Sequence, residues 1–198
     1  MSQFEQLFTD VVTRTKRPTM VAETEQAIRF ATLQLHHSAF FTNDLASIRL
    51  VATSGARLDF DVDFATNAAV RDIYSVTPDD PTGKCVCALK LASVDCKIQD
   101  ANWYKYTGKK LQIRTASPVS AFVVQYFSNP LIERHNYNSW IASKYPYMVV
   151  DLAYARVCAD LGLAEEAQRI YSLLGNNRAP NTYIHVLHAE QENARAGK

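Results

Sequence analysis

The chain has 198 residues, 47% hydrophobic and 21% charged, with a formal net charge of +1. That length holds one domain or two small ones, and that apolar fraction excludes a disordered chain. The near-neutral balance argues against a nucleic-acid, membrane-surface or acidic-substrate partner, and no apolar run reaches membrane-spanning length.

The acids divide the chain. From Ala46 to Pro130 there are eight Asp and no Glu, whereas every Glu lies in the flanks. Glu favours helices and Asp does not, so the expected order is helices, a β-rich middle, then helices. The first helix opens on a Ser2-x-x-Glu5 capping box, and Phe4, Leu7, Phe8, Val11 and Val12 give it one apolar stripe. Pro18 ends the link, and Thr19 is the expected cap of a second helix running to about Ala39. Ala27, Ile28, Ala31 and Leu35 make one of its faces, and Phe30, Leu33 and Phe40 part of another. Two apolar faces place that helix centrally in a bundle.

The middle reads as short strands. Leu58, Phe60, Val62 and Phe64 alternate with Asp59, Asp61 and Asp63. Val70–Thr77 precedes the turn cluster Pro78–Gly83, and Lys84–Leu91 is a further strand. Trp103–Tyr106 and Leu111–Arg114 flank Thr107-Gly108-Lys109 as a hairpin, and Ala121–Phe127 is apolar on both sides. Asn129-Pro130 returns the chain to helix. Asn138 or Ser139 caps a short helix around Trp140, and Pro146 starts a longer one that stops near Leu161 before Gly162. Ala164–Leu174 is the next helix, stopped by Gly175. A short helix from Asn181, with Tyr183, Ile184, Val186 and Leu187, is expected in the tail.

The expected fold class is therefore α+β. N-terminal helices over 1–44 and C-terminal helices over 131–175 form a bundle around a small antiparallel β-sandwich or barrel over 45–130. Residues 176–198 extend as a tail.

Catalytic and metal signatures are weak. Asp59, Asp61 and Asp63 resemble the start of a calcium loop, but its sixth and twelfth positions, Gly and Glu, are Phe64 and Val70 here. Cys85, Cys87 and Cys96 lack zinc-ligand spacing and, with Cys158, read as reduced core thiols. His36-His37 are adjacent on a helix and diverge, and His135, His185 and His188 have no nearby triad partners. Phosphate-binding glycine loops are missing, so no cofactor is expected. Lys105, Lys109 and Lys110 beside Trp103, Tyr104 and Tyr106 mix basic and aromatic groups as single-strand binders do, yet a hairpin tip is ordinarily charged and wet. Residues Met1–Glu5 lack a secretion-signal pattern, so synthesis in a cytoplasm is the expectation.

Two segments carry a resemblance. Ala22–Leu45 (AETEQAIRFATLQLHHSAFFTNDL) and Tyr137–Ala167 (YNSWIASKYP, then MVVDLAYARVCADLGLAEEA) resemble head-to-tail adaptor proteins of tailed, especially short-tailed, bacteriophages. The resemblance implies a structural virion protein at the head–tail interface. It would be a homo-oligomer, dodecameric in the family, bound beneath the portal protein and docking tail-nozzle or tail-tube proteins and tail fibres. DNA would pass through its channel without specific binding. Carried onto this chain, the portal contacts would come from Tyr183, Ile184, Val186 and Leu187. A non-adhesive channel wall would suit Asp59, Asp61 and Asp63. Two other readings compete. Ala155–Tyr171 looks like one tetratricopeptide unit of a helical-repeat module, and an enzyme could assemble a site from dispersed residues such as His135 with Cys or Asp partners.

Overall fold

The computed structural model describes residues 2–51, 62–63, 70–79, 88–92, 102–107, 110–115, 119–175 and 179–195. The chain is mixed α+β and divides into two compact units, Met1–Asn43 with Pro130–Lys198, and Asp44–Asn129.

The first unit is helical. In α1 (Gln3–Thr15), Phe4, Leu7 and Val11 are buried, and the Ser2 side chain accepts the Glu5 N–H at 3.2 Å. The helix ends as Lys16 turns left-handed at φ 55° and returns its N–H to Val12. Helix α2 (Val21–His36) buries Ala27, Ile28, Ala31 and Leu35, the face the periodicity predicts. Its N-cap is Met20 with no capping side chain, so the Thr19 cap and the extension to Ala39 are both corrected. On its other face Phe30 is exposed, while Phe40, also exposed, lies beyond the end of the helix.

Ser139 caps the short α3 (Trp140–Lys144), accepting the Ala142 N–H at 3.1 Å. Pro146 opens α4 (Pro146–Asp160), where its missing N–H costs nothing and its fixed φ suits the first turn. Eight side chains of α4 are buried, among them Met148, Val149, Leu152, Ala153 and Val157, so this helix is the spine of the unit. Gly162 then takes φ +76°, which L side chains resist, and admits the turn into α5 (Ala164–Leu174). Gly175 is needed for a second reason: a Cβ there would lie 2.3 Å from the Thr182 side chain.

The tail departs most from expectation. It is not extended: Tyr183–Arg195 is a thirteen-residue helix, α6. Tyr183 and Leu187 of α6 are buried in the same core as Phe4, Ile28, Leu35, Phe41, Met148 and Leu152.

Among its described residues the second unit holds seven strands in two sheets. A three-stranded sheet has the order β1 (Leu45–Val51), β7 (Ala121–Ser128), β3 (Val70–Pro78), all antiparallel. A four-stranded sheet has the order β2 (Val62–Asp63), β6 (Lys110–Arg114), β5 (Trp103–Tyr106), β4 (Lys90–Leu91). Strand β4 pairs parallel to β5, which corrects the wholly antiparallel expectation. Both sheets are open among the described residues and do not close into one barrel. Their apolar faces meet in one core: Ile73, Val76, Phe122 and Val124 from the first, Tyr104, Leu111 and Ile113 from the second, with Leu89. The alternation expected over Arg57–Phe64 falls mostly outside the described residues, as does the predicted strand before Ala88.

Candidate partner-binding surface

The four tail residues assigned by resemblance to the portal are brought together on α6, but they face different ways. Tyr183 and Leu187, one turn apart, point into the unit's own core, and Val186 packs beside them. Ile184 is half-buried outside that cluster. Polar contacts fix the seat at both ends. The Tyr183 hydroxyl donates to Asp151 of α4, whose carboxylate also pairs with Arg14 of α1. Glu190 pairs with Lys144 and accepts the Tyr145 hydroxyl at 2.9 Å. The Gln191 amide donates to the Phe40 carbonyl at 2.8 Å, and His188 lies edge-on to Phe41. In the folded chain Tyr183 and Leu187 are thus occupied within the molecule.

The local electrostatics follow from these contacts. Burial, then the hydrogen bond to anionic Glu190, pushes the Tyr145 hydroxyl up to about 12. Burial and the Asp151 bond likewise raise Tyr183 above the usual tyrosine range. The bonds from Lys144 and Tyr145 hold Glu190 below the usual carboxylate range.

Exposed apolar groups lie elsewhere on the helical unit. Val21 and Phe30 of α2, Leu161 and Leu163 of the α4–α5 turn, and Leu173 of α5 are all exposed. Phe30 borders a shallow cleft with Glu23, Gln26, Ala27, Arg156 and Asp160. The Arg156 guanidinium lies 5.3 Å from the Phe30 ring centre and 3.6 Å from Asp160. Aromatic residues and arginine are the types enriched at protein interfaces, whereas acids such as Glu23 and Asp160 are depleted there. Sequence reasoning assigned Phe30 to an inner face because it falls in apolar register.

No described arrangement supports nucleophilic catalysis. His36 Nε2 lies 2.9 Å from Ser139 Oγ, a superficially catalytic pair, but both residues are buried and the same Oγ caps α3. Nearby Tyr137, bonded to Thr32 at 2.6 Å, is pushed up to about 12 by burial. His135 is exposed on the loop before α3. Cys158 is buried on α4, and Cys85, Cys87 and Cys96 lie outside the described residues. Among the described residues no three His, Cys, Asp or Glu side chains gather as metal ligands, and no helix is long and apolar enough to cross a membrane.

In the sheet unit, Asp59 and Asp61 lie outside the described residues, and the register places Asp63 opposite Lys110. The connections at Asp44 and Ser128 are tied together. Ser128 Oγ donates to the Asp44 carbonyl at 3.0 Å, and the nearly buried Arg71 guanidinium stands 3.6 Å from the Asp44 carboxylate. Burial lowers the Arg71 pKa, against the opposing pull of Asp44 and Asp72.

Compared with protein-family models and with curated proteins, the chain matches none.

Proposed function

We propose that this chain is a structural subunit of a phage head-to-tail adaptor, acting by assembly and not by catalysis. The observation that carries the reading is the split helical unit: Met1–Asn43 and Pro130–Lys198 share one core, with the sheet unit Asp44–Asn129 inserted between them. This is the order that the likeness of Ala22–Leu45 and Tyr137–Ala167 to adaptors implies. In this reading the helices form a bundle that makes the ring body, and the two sheets form a small sandwich facing the tail.

A ring needs two different complementary surfaces on each subunit. The exposed Phe30 of α2, in its cleft with Arg156 and Asp160 of α4, is the candidate for one of them. Tyr183 and Leu187 reach a portal only if α6 leaves its seat, so the contact available in the folded subunit falls to Ile184. Asp59, Asp61 and Asp63 remain the proposed non-adhesive wall along which DNA slides. Replacing all three by Lys slows or arrests DNA passage, and unchanged packaging and infectivity would refute that role.

The reading is tested by mixing the purified chain with a purified portal protein of a short-tailed phage and weighing the complex. Rings carrying a fixed multiple of this chain are expected; free portal and free chain would count against an adaptor. A helical-repeat module would instead bind short peptides as a monomer.

A further inference from the structure

The strand register sorts the basic and aromatic residues of the second sheet onto opposite faces. Tyr104 opposite Ile113, and Tyr106 opposite Leu111, turn into the core. The alternate positions turn outward: Trp103 opposite Arg114, and Lys105 opposite Gln112. Lys110 continues the same side of β6, and Lys90 of β4 stands in register beside Trp103. Three adjacent strands thus bring Lys90, Lys105, Lys110 and Arg114 to one face around a single indole. In the register Asp63 of β2 pairs with Lys110. Lys90, Lys110 and Gln112 are exposed, and Trp103, Lys105 and Arg114 are half-exposed.

We infer that this outer sheet face binds single-stranded nucleic acid, with Trp103 stacking a base and Lys90, Lys105, Lys110 and Arg114 holding backbone phosphates. The chemistry is complementary in both parts. Phosphates are attracted without regard to sequence by cations spread over a sheet, and any base presents a π-face to an indole. Net charge conceals the site because the sheet unit carries nine Asp beside its ten Lys and Arg, so the grouping of cations shows only through the strand register. On the outer face of the other sheet Arg49 pairs with Asp79, and Ser75 bonds to Gln125. The inference rests on the strand register and not on the adaptor reading, from which it departs within the sheet unit: a face that holds phosphates is the opposite of the non-adhesive wall proposed at Asp59, Asp61 and Asp63.

The test is fluorescence anisotropy of the full chain with a labelled oligo-dT strand, from 50 to 300 mM salt. Binding is expected at low salt, with a log–log slope near −0.7 per phosphate held, about −3 for four. Lys105→Glu with Arg114→Glu should weaken binding at 50 mM at least about tenfold and flatten the slope by about 1.4. Trp103→Ala should weaken it about five- to hundredfold. The exposed Lys90→Glu variant, which does not threaten folding, should weaken it too, while Arg49→Glu on the other sheet leaves it unchanged. Melting curves confirm that each variant is folded. No binding at 50 mM, equal loss in Arg49→Glu, or tighter binding of a duplex that ignores Trp103→Ala would overturn the inference. Displacement by poly-glutamate as effective as by unlabelled oligonucleotide would also overturn it, in favour of an acidic polypeptide.

Discussion

Tyr183, the first residue of α6, donates its hydroxyl hydrogen bond to Asp151 of α4, on the same carboxylate that pairs with Arg14 of α1. One acid therefore ties the N-terminal helix, the central helix and the C-terminal helix of the helical unit. Beneath it, Leu187 fills the shared core. Truncating Leu187→Ala should cost about 2–5 kcal/mol of unfolding free energy, the usual range for a buried leucine. Tyr183→Phe keeps the ring and loses only the bond to a charged group, so about 1–3 kcal/mol is expected. Urea unfolding of the full chain distinguishes these from the near-zero effect expected if α6 were a dangling tail.

The seat of α6 should also loosen at both pH extremes. Glu190 has a depressed pKa in the fold, so its contribution is present above the ordinary value of 4.5 and is lost as pH falls through the folded value. Tyr145 is raised, from 10.0 to about 12, so its contribution is present below pH 10 and is lost between pH 10 and 12. Limited proteolysis within 176–182, followed across pH, should be slow near neutrality and accelerate below pH 4.5 and above pH 10. In Glu190→Gln the acidic acceleration should shrink, and an unchanged acid limb would contradict this assignment.

At the root of the sheet unit, Asp44 and Arg71 form a nearly buried ion pair, with side chains 3% and 12% exposed. Removing one partner is worse than removing both. Asp44→Ala takes the nearest carboxylate from a desolvated guanidinium and should cost about 3–5 kcal/mol. Asp44→Leu with Arg71→Met should cost much less, because no charge stays buried. Thermal melts of the two variants check the order.

Phe30, at 45% exposure, contributes little to the isolated fold. Phe30→Ser should leave the melting temperature of the monomer within a few degrees of the parent and reduce self-association on a portal ring. Sedimentation of the variant with portal checks it, and full association despite the substitution would remove the α2 face from the assembly.

What was legible in the sequence depended on how local the cause was. Ser2, Pro146 and Gly162 act within a turn of their own position, and α1, α4 and α5 begin and end accordingly. Strand β1 was missed because Leu45 and Val51 face outward while Ala46, Ile48 and Leu50 face inward, which blurs the period of two. The parallel pairing of Lys90–Leu91 with Trp103–Tyr104 is a tertiary choice that two residues of strand cannot announce. The Tyr183/Leu187 stripe was visible, but its destination was not: whether such a stripe meets its own core or a partner depends on surfaces distant in sequence. The basic sheet face was half visible. Lys105 and Lys110 stood out beside Trp103, whereas Lys90 and Arg114 joined them only through register.

The central claim, assembly on a portal, is tested most directly by native mass measurement of the chain titrated onto purified portal rings. The account predicts a saturable, symmetric complex with one copy of this chain for each portal subunit, twelve on a dodecameric ring. Portal rings that keep their own mass at saturating concentrations of the folded chain would contradict it.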